Sequence, residues 1–368
     1  MEGWARPPDG HPGNVAPVTG LTLTIDADRW RAYARGLTER IPGLVPVAKG
    51  NGYGFGLQRL AAEATALGLD TLAVGTPTEA AAIKEHFAGD IVILLPWEPN
   101  DPHAVEQARD PRVIVTVSRL TDLEVLANLG GAKPRVLVEV LTSMQRHGLP
   151  GEHLQAVQAW QDFLQLEGWT VHLPLAANGD GYRGNRAEAE TLARMARDVA
   201  PAPIWFSHLD DADYLGLARE LGEGQTRLRI GTRLWLGDPA ALTVTATVLD
   251  VHPVKRGQRI GYWQRPAVTD GYVVVVSGGT ANGIGLEAPS VAKNVRQRAI
   301  SFATGGLEAA GLALSPYTIG GAKRWFVEPP HMQSSLVFVP AKVEPPQVGE
   351  EVPVEVRNTI ATFDHVLS

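Results

Sequence analysis

No cysteine occurs among the 368 residues, which excludes disulfides, thiolate metal centres and a cysteine nucleophile. Apolar runs near the ~18 residues needed to span a bilayer are also missing, so no membrane partner is expected. The first residues lack a basic n-region and an apolar h-region, so no signal peptide is expected and the expected location is cytoplasmic. Basic charge is not in excess: the net charge is −7, which argues against a general affinity for nucleic acid. No cluster has the spacing of a metal site, and there is no P-loop.

What is present is a soluble composition, 44% hydrophobic and 20% charged, in a chain with room for two domains. Short β-rich runs alternate with helical patterns between about residues 44 and 230. The expected strands are Leu44–Ala48, Thr71–Gly75, Ile91–Leu95, Val113–Val117, Val136–Val140, Trp169–His172, Ile204–Ser207 and Arg227–Ile230. The expected helices are Gln58–Leu67, Thr78–His86, Asp122–Asn128, Glu152–Leu166, Glu188–Val199 and Asp213–Leu221. Eight such units predict an α/β fold, a (β/α)8 TIM-type barrel; an open doubly wound sheet is the alternative.

After Asp238-Pro239 the character becomes mainly β. Leu242–Leu249 alternates with period two, and Val273–Ser277, Ser335–Val339 and Val352–Val356 read as further strands, with one helical pattern at Ser290–Glu308. The expected organisation is a Pro/Gly-rich leader at 1–20, a barrel at 21–238 and a C-terminal β domain at 239–368. Leu21–Ile25 is a strand that can join the β domain, followed by a helix capped by Asp26 or Asp28.

Barrel chemistry sits at the C-terminal strand ends. Those positions carry Lys49 and Tyr53, Glu139 with Arg146, His172, Ser207 with His208, and Arg229 with Gly231. Lys49 ends an apolar run and opens a glycine-spaced loop, Lys49–Gly56, which lets the backbone approach a ligand closely. A desolvated lysine can lose its proton near neutrality and form a Schiff base with an aldehyde cofactor. Glu139 interrupts the apolar strand Val136–Leu141, and a carboxylate there needs a partner, for which Arg146 is the expected one. The alternative has Glu139 facing solvent or an interface.

These residues resemble the alanine racemase family of fold-type III pyridoxal-phosphate (PLP) enzymes. Lys49-Gly50-Asn51-Gly52-Tyr53-Gly54-Phe55-Gly56 is similar to that family's K-A-N-A-Y-G-H-G, and Leu141–Gly148 to its D-T-G-M-x-R-x-G. Leu166–His172 resembles L-E-G-x-x-T-H, and Arg229-Ile230-Gly231-Thr232 resembles R-x-G-I. The resemblance implies pyridoxal 5'-phosphate on Lys49 as an internal aldimine, Tyr53 at the phosphate, and Gly231 and Thr232 nearby. It implies Arg146 at the cofactor's phenolic oxygen and the substrate carboxylate, with Glu139 in place of a carbamylated lysine. It places His172 below the ring and Arg229 on the pyridine nitrogen, which favours a racemase over a decarboxylase. The family's phosphate-binding serine has no clear counterpart; Ser207, His208 or Asp210 occupies that region.

The resemblance also implies a homodimer with composite active sites acting on a small-molecule amino acid. Here the pattern breaks. Gly279–Gly283 matches the family's G-Y-A-D-G, but Thr280 stands at the catalytic tyrosine, and a threonine hydroxyl does not titrate near neutrality. His331-Met332-Gln333 matches a second partner-subunit motif, which makes Met332 and Gln333 substrate-contacting candidates and His331 a candidate acid or base. Tyr262 matches another family position, not the catalytic one. Two functions follow: a racemase with a changed second base, or a PLP-binding relative that performs one-base exchange, decarboxylation or binding alone. The glycine-rich stretch Asn178–Asn185 reads as a surface loop.

Overall fold

The computed structural model describes residues 19–175, 184–286 and 313–368. The expected leader (but for Thr19 and Gly20), the helical pattern at 290–308 and most of the glycine-rich stretch at 178–185 lie outside those residues. The chain divides into two compact units. One comprises Asp26–Leu242 with Asn358–Ile360; the other comprises residues up to Ile25 with Thr243–Arg357 and Ala361–Ser368.

Strand β1 (Leu21–Ile25) belongs to the second unit, and the first opens with helix α1 (Ala27–Arg40), whose N-cap Asp26 accepts from the Arg29 amide at 3.1 Å. Eight parallel strands follow, β2 (Leu44–Pro46), β3 (Thr71–Val74), β4 (Asp90–Pro96), β5 (Val113–Val117), β6 (Arg135–Val140), β7 (Gln165–His172), β8 (Ile204–Ser207) and β9 (Thr226–Ile230). Their order is β2-β9-β8-β7-β6-β5-β4-β3, and the last gap is bridged where Ala48 N donates to Ala73 O at 2.8 Å. The expected (β/α)8 barrel is therefore the fold of this unit.

The connecting helices are α2 (Leu57–Ala66), α3 (Pro77–Ile83), α4 (Pro102–Gln107), α5 (Leu120–Ala127), α6 (Asn185–Val199), α7 (Asp211–Leu221) and α8 (Thr232–Trp235). Their starts are chemically marked: Thr76 and Glu79 form a capping box on α3, a device whose cap alone contributes about 1 kcal/mol. Helix α4, begun by Asp101 and Pro102, was not expected from periodicity because its six residues span under two turns.

The helix expected over Glu152–Leu166 is absent. Gly151–Trp160 forms 3₁₀ turns instead, and β7 already begins at Gln165. The buried residues Leu154 and Val157 are three apart, which suits three residues per turn. Leu166 is held by pairing with Val136 of β6.

The barrel interior is packed by Val45, Val47, Ala73, Val92, Ile114, Leu137 and Trp205. Each buried side chain of this size contributes roughly 1.5–3 kcal/mol. Because side chains alternate along a strand, the residues two or four positions further on share this inward face at the C-terminal end. Those residues are Lys49 after Val47, Ser118 after Ile114, Glu139 after Leu137 and Ser207 after Trp205.

In the second unit, β10 (Leu242–Val254), β11 (Arg259–Ile260), β12 (Arg265–Pro266), β13 (Gly271–Ser277), β14 (Leu314–Ile319), β15 (Ala322–Phe326), β16 (Ser334–Pro340), β17 (Glu351–Pro353) and β18 (His365–Leu367) form the strands. The main sheet runs β14-β15-β16-β13-β10-β1-β18, with β17 on β10, so this unit is mainly β as expected and includes β1. Its core gathers Leu21, Val248, Val274, Val276, Tyr317, Val337 and Val339. The Tyr317 hydroxyl donates toward Gly278 O at 2.8 Å. Among the described residues, no helix is long and apolar enough to cross a membrane.

Candidate functional site

A cavity of about 590 Å³ opens at the C-terminal end of the barrel. Of the residues singled out in the sequence, Lys49, Tyr53, His172, Ser207, His208, Arg229, Gly231 and Thr232 line it. Glu139 and Arg146 do not line it.

Lys49 is delivered by the loop after β2, and Glu79 of α3 holds that loop. Glu79 Oε1 accepts from Gly50 N at 2.8 Å, and Oε2 accepts from Gly75 N at 2.6 Å. One carboxylate thus caps α3 and pins the turns after β2 and β3. The Lys49 ammonium is pushed below its ordinary range by desolvation, then by Arg146 and Arg229, with Glu79 opposing them.

Tyr53 is buried in a left-handed conformation, φ 56°, and its hydroxyl bonds to the Thr232 side chain. Burial raises its phenol above the ordinary value. A side chain at Gly231 would overlap the Tyr53 hydroxyl, so the absence of a Cβ there makes the approach possible. His208, also in the pocket, has φ 57°, and Gln145 beside Arg146 has φ 52°. Such backbone strain in non-glycine residues gathers at binding sites.

Ser207 Oγ lies 2.9 Å from His172 Nδ1, and the His208 ring meets His172 edge-on with centroids 5.1 Å apart. His172 is pushed down to about 2 by desolvation, then by Arg229, Arg146, His208 and Lys49, so it is neutral at physiological pH. His208 is lowered by desolvation, Arg229, Lys49 and Arg146. Asp210 lines the pocket too, but its Oδ1 caps α7 by accepting from Asp213 N at 2.8 Å.

Arg229 is the most telling member. Its Nε and Nη2 are shut off from solvent and have no hydrogen-bond partner among the described residues. Desolvation pushes it down to about 10, with Glu139 opposing and Arg146 adding to the fall, so it remains cationic at neutral pH. Two guanidinium nitrogens shut off from solvent without a partner are costly, and they mark a place for a polar ligand atom.

The pairing of Glu139 with Arg146 expected from the sequence is not formed. Glu139 is buried and accepts from Ser118 Oγ at 2.8 Å. Arg146 lies in the exposed turn between Leu141 and Leu149, tied back where Leu149 N donates to Glu139 O at 2.7 Å. Glu139 Oε2 is taken by Ser118, while Arg146 stays in the exposed turn and acts on the pocket through its charge, lowering Lys49, His208 and Arg229. Ser118 and Glu79 were missed in the sequence. The inward parity of Ser118 after Ile114, and the T-x-x-E spacing of Thr76 and Glu79, are the signals that could have found them.

Thr280, His331, Met332 and Gln333 belong to the β unit. There Thr280 N donates to His331 O at 2.8 Å, and Ala281 N to Met332 O at 2.9 Å. Met332 is exposed.

Fold and pocket together place the chain among the (β/α)8 barrels that gather their polar groups at the carboxyl ends of the strands. Residues 25–239 match the family described as alanine racemase, N-terminal domain, and the chain belongs to that family. It is 27% identical over 284 residues to an alanine racemase of Corynebacterium efficiens, covering 72% of this chain and 76% of that one. An alanine racemase of Streptomyces coelicolor is 29% identical over 269 residues, 65% of this chain and 68% of its own length. Among solved structures, alanine racemase from Bartonella henselae with covalently bound pyridoxal phosphate shares the fold at a TM-score of 0.69. Its identity is 19%, over 93% of this chain and 92% of that one. The Streptomyces lavendulae alanine racemase has a TM-score of 0.67 and 24% identity, over 92% and 87% of the two chains.

Proposed function

We propose that this chain is a PLP-dependent amino-acid racemase that works as a homodimer, the β unit of one copy completing the barrel pocket of the other. The observation that carries this reading is the meeting, in one pocket, of a lysine with a lowered pKa and a half-buried arginine whose Nε and Nη2 are shut off from solvent with no partner among the described residues. Those groups fit PLP. Lys49 would anchor it, Arg229 would face its ring nitrogen, and Tyr53, Gly231 and Thr232 would face its phosphate, with Ser207 and His208 alongside. When bound, the cofactor supplies an electron sink for the substrate α-carbon.

The chain's own residues then do the rest. Lys49, more readily neutral than an ordinary lysine, takes or returns the α-proton on one face. Arg229, cationic at neutral pH, keeps a facing ring nitrogen unprotonated, which restrains side reactions. His172, neutral, holds Ser207 in place without adding charge. Glu139 favours the charged form of Arg229.

A second reading, a PLP-binding relative that does not racemise, rests on Thr280 at the tyrosine position. The test combines PLP titration, followed by visible absorbance, with incubation of L- and D-alanine in deuterium oxide. Inversion with α-deuteration is the expected result. Exchange without inversion supports one-base chemistry, and cofactor binding without exchange supports the second reading. Failure to bind PLP rejects both.

A further inference from the structure

The β unit contains an acid–base pair that the barrel pocket does not use. Glu328 is 5% exposed. Its Oε1 accepts from His331 Nε2 at 2.8 Å, and its Oε2 accepts from Tyr262 N at 2.7 Å. The carboxylate fixes the tautomer of the neutral imidazole, with the proton on Nε2 and a basic lone pair on Nδ1. The Tyr262 ring lies across the imidazole, centroids 4.6 Å apart and planes 31° apart. A side chain at Gly261, φ 72°, would strike the carboxylate, so the turn there is shaped around Glu328.

This arrangement is expensive for a structural contact. Burying a carboxylate costs several kcal/mol unless it is paired and hydrogen-bonded. Yet the imidazole it holds stays 27% open on its side chain, between Tyr262 at 79% exposure and Met332 at 73%. Among the described residues, the groups in contact with the imidazole are the Glu328 carboxylate and the Tyr262 ring. Thr280, one backbone hydrogen bond away, contributes no titratable group.

We propose that His331, positioned by Glu328, is the second acid–base group, acting through Nδ1 on the substrate face opposite Lys49 in a second copy of the chain. This rests on the racemase reading above. In one direction Lys49 Nζ takes the proton from the α-carbon, and the electron pair of that C–H bond goes on to form a new one. The new bond takes its proton from the His331 imidazolium, on the other face. Lys49 ends as ammonium and His331 as neutral imidazole, and the opposite enantiomer runs the pair back. Glu328 is a positioning residue that holds Nε2 and so leaves Nδ1 as the nitrogen available to the substrate.

The experiment uses full-length protein with PLP and each alanine enantiomer in deuterium oxide, following α-deuteration and inversion separately. His331→Gln is expected to keep the cofactor absorbance and the exchange of the enantiomer served by Lys49. Inversion, and exchange of the other enantiomer, should fall by about 100-fold or more. Glu328→Gln should lower kcat for inversion and leave KM close to wild type. Mixing Lys49→Ala with His331→Gln subunits, each inactive in inversion, should restore it, because one site of a mixed dimer then has both groups.

Wild-type inversion rates in His331→Gln, or no recovery in a mixture shown to contain the mixed dimer, overturn the proposal and leave the racemase reading in place. Wild-type exchange of a single enantiomer without inversion also overturns the dyad, while the cofactor site stands. A wild-type chain that binds no PLP and exchanges neither enantiomer overturns the racemase reading and the dyad with it.

Discussion

Ser118 Oγ donates to Glu139 Oε2 at 2.8 Å inside the barrel, so the one acid on β6 is held by the neighbouring strand and not by Arg146. The carboxylate in turn favours the charged form of Arg229. A hydroxyl just past the end of β5 thus holds the β6 carboxylate that supports the charge of Arg229. Ser118→Ala removes that donor and is expected to cost about 1–3 kcal/mol of stability. Chemical denaturation checks it, and a loss no larger than that of an exposed serine substitution would return Ser118 to a bystander.

Gly231→Ala should displace Tyr53, since the added Cβ overlaps the phenol oxygen. The overpacking is worth roughly 1–3 kcal/mol. Thermal unfolding and PLP affinity, measured together, should both decline; intact affinity would show that Tyr53 does not face the cofactor.

Lys49 should react with amine-directed reagents at lower pH than an ordinary lysine, because desolvation, Arg146 and Arg229 disfavour its ammonium. Arg146→Gln removes one of those cations, so the reactivity profile should move to higher pH. Mass-resolved labelling of Lys49 against pH reads the shift, and a move to lower pH contradicts the electrostatics. Lys49→Ala should abolish the visible absorbance of bound cofactor while the fold persists by circular dichroism.

Acid should destabilise the barrel through His172. Its folded value is pushed to about 2, whereas the unfolded value is the ordinary 6.5. The unfolded chain therefore binds a proton that the folded chain refuses. The contribution of the neutral imidazole is intact above about 6.5 and declines as pH falls from there toward about 2. Denaturation midpoints of wild type and His172→Gln across that window are expected to converge on acidification. Parallel curves would mean that His172 titrates alike in both states.

Much of the fold was legible because the barrel strands are buried on both faces and read as continuous apolar runs, as Val113–Val117 does. The 3₁₀ stretch Gly151–Trp160 was not, since Leu154 and Val157 satisfy a helical and a 3₁₀ spacing alike. Among the site residues, Lys49 and Glu139 stood out because a charge ending or interrupting an apolar strand needs an explanation. Glu328 did not, because only the turn at Gly261 brings the Tyr262 amide to it from 66 positions away.

The sequence alone determined the periodicities, and through them which residues face into the barrel and end its strands. It also determined that no cysteine chemistry is available. Tertiary structure alone decided the partners. Glu139 went to Ser118 and Glu79 to the Lys49 loop; Glu328 took His331, and Arg229 was left with two nitrogens unpaired among the described residues. The reason is physical. Facing direction is a local property of the backbone, whereas pairing depends on angles and distances between strands and turns that no single segment contains.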